Sequence, residues 1–187
     1  MKNIVIIGAG DLGKEVVWLI EDINKVKPTY LILGFLDDDL SKNTYSFCGY
    51  RVLGGTDKLE ELNAATPFGA VMAIRDGSVR RRIAEEHRRF ENWENIIHPT
   101  AVIASSSKLG RGCVIFPQVT LSVDAYLGNF GLYYIRSTVC NNVWINNYVS
   151  LMASVTVSEY ADIGNECLIT SGKCIQPHQK LESGTKI

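Results

Sequence analysis

From Ile97 to Ile175 a large apolar residue returns at every sixth position without a slip. The series is Ile97, Ile103, Leu109, Ile115, Leu121, Leu127, Tyr133, Val139, Ile145, Leu151, Val157, Ile163, Ile169, Ile175. Four places after each of these the residue is small or valine, from Ala101, Ser107 and Cys113 through Val143, Val149 and Val155 to Cys167, until Lys173 departs. A β-sandwich alternates with period two and varies its strand lengths, so a fixed period of six requires another arrangement. Three short strands joined by tight corners close one triangular coil of about 18 residues. The large residue fills the interior, and the small one sits where the chain turns inward. Coils stack about 4.8 Å apart, so each backbone group pairs with the coil above or below. The pattern predicts a parallel β-helix of hexapeptide repeats over 96–178. Lys173 at an inward slot predicts that the stack ends near there and leaves 179–187 as a C-terminal tail.

Residues 1–90 follow a different rhythm. Asn3 to Ile7 is an unbroken apolar run, a buried strand, and Lys14 to Asn24 has helical spacing through Val16, Val17, Leu19, Ile20 and Ile23. Leu31 to Leu36 reads as a second strand closed by Asp37, Asp38 and Asp39, and Tyr50 to Leu53 as a short third. Asp57 to Asn63 reads as a helix with Thr56 or Asp57 as N-cap, Ala70 to Ile74 as a strand and Ser78 to Arg89 as a basic helix. Alternating strands and helices predict an α/β unit with a small open parallel sheet, a half-Rossmann domain. Phe90 to Asn95 connects it to the repeats, and the Arg80-Arg81-Arg82 and Arg88-Arg89 clusters are expected on a solvated helix face.

Gly8-Ala9-Gly10-Asp11-Leu12-Gly13 fits G-x-G-x-x-G between the first strand and the first helix. Glycines permit a tight turn and close backbone approach, and a helix N-terminus offers unpaired N–H groups to a phosphate. Gly8, Ala9, Gly10, Asp11 and Gly13 are therefore candidate phosphate contacts, with Asp37 and Asp38 at the end of the second strand placed for a ribose or base. A full dinucleotide fold needs two mononucleotide halves. The short first domain predicts a mononucleotide or nucleotide-sugar rather than NAD.

Charge and cysteines narrow the class. The 187 residues carry a net charge of −1, which argues against nucleic acid as a partner. The apolar run after Met1 is too short for a signal peptide or a membrane span, so a cytoplasmic protein without membrane insertion is expected. Five cysteines, an odd number without C-x-x-C, read as reduced thiols. No metal set is expected.

The two halves together resemble the bacterial hexapeptide-repeat sugar O-/N-acyltransferases, which include sialic acid O-acetyltransferases and acetyltransferases of UDP-4-amino-sugars. The resemblance rests on Ile7-Gly8-Ala9-Gly10-Asp11-Leu12-Gly13-Lys14-Glu15, Gly34-Phe35-Leu36-Asp37-Asp38, Ala73-Ile74-Arg75-Asp76, Arg80-Arg81-Arg82-Ile83-Ala84 and Ile96-Ile97-His98-Pro99-Thr100-Ala101. It implies a left-handed β-helix that forms a homotrimer, a nucleotide-sugar on the first domain, and acetyl-CoA as acyl donor along the groove between neighbouring prisms. It implies Ser150 and Ser171 beside the CoA chain. It also implies a corner histidine as general base followed by an acid. The hexad register puts those two positions at Asn141 and Asn142 in this chain. An amide cannot act as a general base near neutral pH. Glu159, eighteen residues beyond Asn141, is the only carboxylate in register with it. His98 is expected as a structural corner residue. Tyr133, Tyr134, Trp144 and Tyr148 are expected as aromatic surface at the trimer interface. Three readings stay open: an acyltransferase with an altered base, a non-catalytic relative that binds a nucleotide-sugar or a partner protein, and a dehydrogenase.

Overall fold

The computed structural model describes residues 1–39, 41–42 and 45–187. The N-terminal unit runs β1 (Lys2–Ile7), α1 (Asp11–Val26), β2 (Tyr30–Leu36), β3 (Ser46–Phe47), β4 (Tyr50–Gly54), α2 (Leu59–Ala65), β5 (Gly69–Met72) and α3 (Gly77–Glu86). Its sheet has the order β3-β4-β2-β1-β5. All neighbours are parallel except the β3/β4 hairpin. Ile4 to Ile7 are fully buried, as an apolar central strand covered on both faces must be. The expected cap at Thr56 or Asp57 does not form. A 3-10 turn, Thr56–Lys58, precedes α2, no side chain caps either element, and Thr56 turns to Asp38 instead.

From Ile96 onward the chain winds as a parallel β-helix of two-residue strands. The first face stacks Ile96–Ile97, Val114–Ile115, Leu132–Tyr133, Ser150–Leu151 and Leu168–Ile169. The second stacks Val102–Ile103, Thr120–Leu121, Thr138–Val139, Thr156–Val157 and Cys174–Ile175. The third stacks Lys108–Leu109, Tyr126–Leu127, Trp144–Ile145, Asp162–Ile163 and Lys180–Leu181. Pairs are eighteen residues apart throughout, as Thr120 with Thr138 and Tyr126 with Trp144.

The stack continues past 178. Leu181 and Ile187 keep the six-residue register, and backbone N–H groups of Asp162, Gly164, Leu168 and Thr170 donate to carbonyls of Gln179, Leu181, Thr185 and Ile187. Residues 179–187 are therefore a further part-coil rather than a tail. Lys173 did not end the repeat because its side chain is exposed near the open end of the prism.

Two details explain the hexad chemistry. From Gly112 onward the residue just before each small slot adopts a left-handed backbone, including Asp124 (φ 56), Asn142 (φ 56) and Tyr148 (φ 62), the positive φ that turns the chain at these corners. Such a φ is uncommon outside glycine. Here the coils above and below fix it through bonds such as Asn142 N–H to Val123 O. The second detail is steric. Tyr133, an unusually large interior residue, is fully buried, and a Cβ on Gly131 would lie 2.5 Å from its ring.

The two units are locked by Arg80. It is 2% exposed, which corrects the expectation of a solvated face. Its Nε donates to Phe130 O (2.9 Å), Nη1 to Ile74 O (2.7 Å) and Arg75 O (2.8 Å), and Nη2 to Tyr148 O (2.6 Å) and Val149 O (3.2 Å). Burial lowers its pKa to about 10. Ser150 Oγ donates to Arg75 O (2.8 Å), Arg81 pairs with Glu166 (3.2 Å), and Tyr134 hydrogen-bonds Glu15 across the same junction. His98 is buried, with Nδ1 against Thr100 Oγ1 (2.8 Å) and Nε2 facing Asp22 Oδ2 (3.3 Å), so it fastens the first corner to α1.

Candidate active site

Gly8 at the start of the glycine loop, the ends of β1 and β2 and one side of α3 form a cleft of about 140 Å³, lined by Gly8, Asp37, Asp38, Thr56, Ile74 and Arg82 among others. Gly8 needs its hydrogen side chain: φ is +106 and a Cβ would lie 2.7 Å from Ala73 O. At Gly13 a Cβ would lie 2.3 Å from Gly8 O, so this glycine lets α1 start tight against the loop. Gly10 is different. Its backbone is extended, and nothing lies within 4 Å of a built Cβ. The space over Gly10 is thus open for a ligand at the N-terminus of α1.

Asp37 Oδ2 accepts the Ala9 N–H (2.7 Å) and pairs with Lys42 (2.9 Å), which holds the loop to the end of β2. Asp38 Oδ1 accepts Thr56 N–H (2.8 Å) and Oγ1–H (2.7 Å), and Oδ2 lies 3.7 Å from Arg82. Burial opposes the Asp38 charge, but the Thr56 hydrogen bonds and Arg82 outweigh it and hold its pKa below the ordinary aspartate value. Arg82, expected only as solvated charge, is therefore part of the cleft. Asp11 is exposed and paired with Lys14 (3.0 Å).

The second constellation lies on the corner between the second and third faces. Asn141 is half-buried and Asn142 exposed. Tyr160 N–H donates to Asn141 O (3.3 Å), which places the Glu159–Tyr160 corner directly on the Asn141–Asn142 corner. His178, one coil higher, stacks on Tyr160 with ring centroids 5.0 Å apart. Among the described residues neither Asp124, one coil below, nor Glu159, one coil above, forms an ion pair. A groove of about 450 Å³ opens beside this corner, lined by Ser106, Lys108, Asp124, Tyr126, Asn142 and Trp144.

Other expected residues fall elsewhere. Ser150 is buried and spent on Arg75 O, so its hydroxyl does not face a groove, whereas Ser171 is exposed on a late corner. Of the aromatics expected at an interface, Tyr133 fills the prism interior, Tyr134 packs on Phe116 and Tyr148 stacks on Phe130. Only Trp144, 50% exposed, remains as aromatic surface. The five cysteines are free thiols. Among the described residues no cluster suited to a metal ion occurs, and no helix is long and apolar enough to cross a membrane.

The chain joins a nucleotide-type glycine cleft to a hexapeptide β-helix, and its similarities to known proteins cover both parts. Residues 3–87 match the PglD N-terminal domain family. Over 174 residues, 91% of this chain and 76% of the relative, the sequence is 28% identical to GDP-perosamine N-acetyltransferase of Escherichia coli O157:H7. The fold superposes on the acetyltransferase domain of PglB from Neisseria gonorrhoeae FA1090 with TM-score 0.89 and 26% identity, covering 100% of this chain and 88% of that one. A histidine-to-asparagine variant of perosamine N-acetyltransferase from Caulobacter crescentus, solved with CoA and GDP-perosamine, superposes with TM-score 0.80 at 21% identity over 98% and 92% of the two chains. The left-handed parallel β-helix is thus the common frame.

Proposed function

We propose that this chain is an acyltransferase that moves an acetyl group from acetyl-CoA to a nucleotide-linked sugar or amino-sugar in bacterial surface-glycan biosynthesis. The observation that carries the reading is the whole-chain superposition on the PglB acetyltransferase domain, TM-score 0.89, with the glycine cleft formed in the same chain. The same domain has also been solved in complex with acetyl coenzyme A.

The glycine loop and the α1 N-terminus receive the diphosphate. Asp37 holds the loop in shape through Ala9, and Asp38 and Arg82 wall the nucleoside side. The N-terminal unit docks on the first face and on the corner at Phe130 and Tyr148, whereas Asn141 and Asn142 occupy another corner. A homotrimer supplies the missing juxtaposition by bringing a neighbour's cleft to that corner. The second face supports such packing. Its outward residues are Val102, Ala104, Thr120, Ser122, Thr138, Cys140, Thr156, Ser158, Cys174 and Gln176, with no formal charge among them. This surface also suits the slender, amide-bearing arm of CoA, and exposed Lys173, Lys180 and Lys186 near the end of the prism suit its phosphates. The protein works in the cytoplasm, where acetyl-CoA and nucleotide-sugars are made.

The bound thioester supplies the electrophilic carbonyl; the chain has to orient the nucleophile and accept its proton. The Asn141 amide can orient but cannot take a proton. Glu159, one coil above, is the carboxylate in register to do so. An amine that arrives neutral needs less help than a hydroxyl, which favours N-transfer. The experiment is release of CoA thiol with acetyl-CoA and GDP-perosamine or a UDP-4-amino-sugar, for wild type and Asn141→His. Wild type should be slow but measurable. Asn141→His should raise the rate by about 10²-fold where the acceptor still has to lose a proton in the attack, the low end of a general-base contribution, and change it little where an already neutral amine attacks. A wild type that does not bind acetyl-CoA at millimolar concentration, together with an inert Asn141→His, would leave the non-catalytic reading.

A further inference from the structure

The groove beside the Asn141–Asn142 corner is built from three coils whose residues repeat at eighteen: Ser106, Asp124 and Asn142 on the corner, Lys108, Tyr126 and Trp144 on the adjoining face. Tyr126 and Trp144 lie 3.9 Å apart and nearly parallel (14°), and Trp144 is half-exposed. The corner side carries a carboxylate, an amide and a hydroxyl. An aromatic wall facing hydrogen-bonding groups suits a ring with an apolar C–H face and a polar edge, the chemistry of a pyranose.

We infer that this groove is the subsite for the sugar ring of the acceptor, with the pyranose against the Tyr126–Trp144 pair and its ammonium or hydroxyl edge toward Asp124 and Asn142. The inference rests on the acyltransferase reading and adds to it the residues that select the sugar. Charge decides between occupants. Lys108 lines the same groove but, among the described residues, forms no ion pair with Asp124, so the carboxylate is left to a ring bearing an amine and Lys108 to a ring hydroxyl. The neutral pantetheine arm or the phosphates of CoA gain nothing from that carboxylate. The left-handed backbone at Asp124 and Asn142 fixes where both side chains leave the corner, one coil apart. The subsite is thereby preformed.

The test uses steady-state kinetics of the full chain with GDP-perosamine and with a UDP-4-amino-sugar, varying each substrate against acetyl-CoA. It also uses equilibrium binding of each sugar nucleotide and of GDP and UDP alone. Trp144→Ala should raise KM for the sugar nucleotide about tenfold, the size of one lost aromatic contact, and leave KM for acetyl-CoA and affinity for the bare nucleotide unchanged. Trp144→Phe should recover most of the loss, which a merely structural role would not predict by substrate. Asp124→Asn should raise the same KM several-fold, more for an amino-sugar than for its hydroxyl counterpart. A Trp144→Ala protein with unchanged sugar KM would overturn the subsite while leaving the acyltransferase reading intact. So would a raised acetyl-CoA KM, which would give the groove to the donor, or a changed sedimentation coefficient, which would give it to a subunit contact. Failure of the wild type to bind acetyl-CoA and either sugar nucleotide would remove both readings together.

Discussion

Replacing Arg80 by methionine should separate the two halves of the molecule energetically. The guanidinium reaches five backbone carbonyls, two in the segment leading into α3 and three on the β-helix, at 2.6 to 3.2 Å, and no carboxylate. Although burial lowers its pKa to about 10, it stays cationic at neutral pH. Hydrogen bonds to a charged group contribute about 1.5–3 kcal/mol each, but the cost of removing the cation from water offsets much of that sum. Methionine fills similar volume, releases the desolvation cost and leaves five carbonyls without their donor. Breaking a buried charged network by removing one partner costs about 3–5 kcal/mol. For a chain of this length about 1 kcal/mol moves Tm by 2–4 °C, so the expected fall is about 10 °C. Calorimetry should show the N-terminal unit melting first, as a separate transition. Lysine has three donors in place of five and should recover only about half of the loss. A Tm within about 2 °C of wild type for Arg80→Met would refute the idea that this side chain couples the units.

Two further outcomes follow from the glycine loop and the α3 cap. Gly10→Val should fold normally, since its Cβ meets open space, yet lose nucleotide binding in a titration; Gly13→Ala should instead lower Tm, because its Cβ would lie 2.3 Å from Gly8 O. Asp76 caps α3 through Ser78 N–H (2.9 Å) and Oγ (2.6 Å), and the Ser78 hydrogen bonds hold its pKa below the ordinary 3.8. Its folded pKa is depressed, so the stabilisation is present above the unfolded aspartate value and disappears as pH falls through the folded one. Asp76→Ala should therefore cost about 1 kcal/mol at neutral pH, and less as the solution is acidified below about pH 4. A denaturation penalty independent of pH would contradict this.

How far the fold could be read depended on whether its constraints were local. The interior of a narrow prism forces the same size of residue on every sixth position, so 97–175 announced the β-helix directly, and the glycine loop was legible because its geometry lies within six residues. Arg80 was not legible as an isolated cluster member, since Arg81 and Arg82 are chemically identical to it. The usable signal was the helical stripe: Gly77, Arg80 and Ile83 are spaced by three, and His87 follows four later, and these are the buried positions of that segment. The length of the stack is hidden in the sequence for a related reason. A lysine is excluded from the small slot only where another coil closes over it, and near the open end Lys173 can leave while Leu181 and Ile187 keep the register. The corners answer to a period of eighteen rather than six. Asn129, Asn147, Asn165 and Ser183 form such a column, in which each lower residue's N–H donates to the side-chain oxygen of the residue above at 2.8 to 3.0 Å. The groove obeys the same rule. Ser106, Asp124 and Asn142, and likewise Lys108, Tyr126 and Trp144, are remote in sequence but adjacent once the chain is wound. In a β-helix the interior is thus written in hexads and the binding surface in triple hexads, and a site on its corners is found only by reading down the columns.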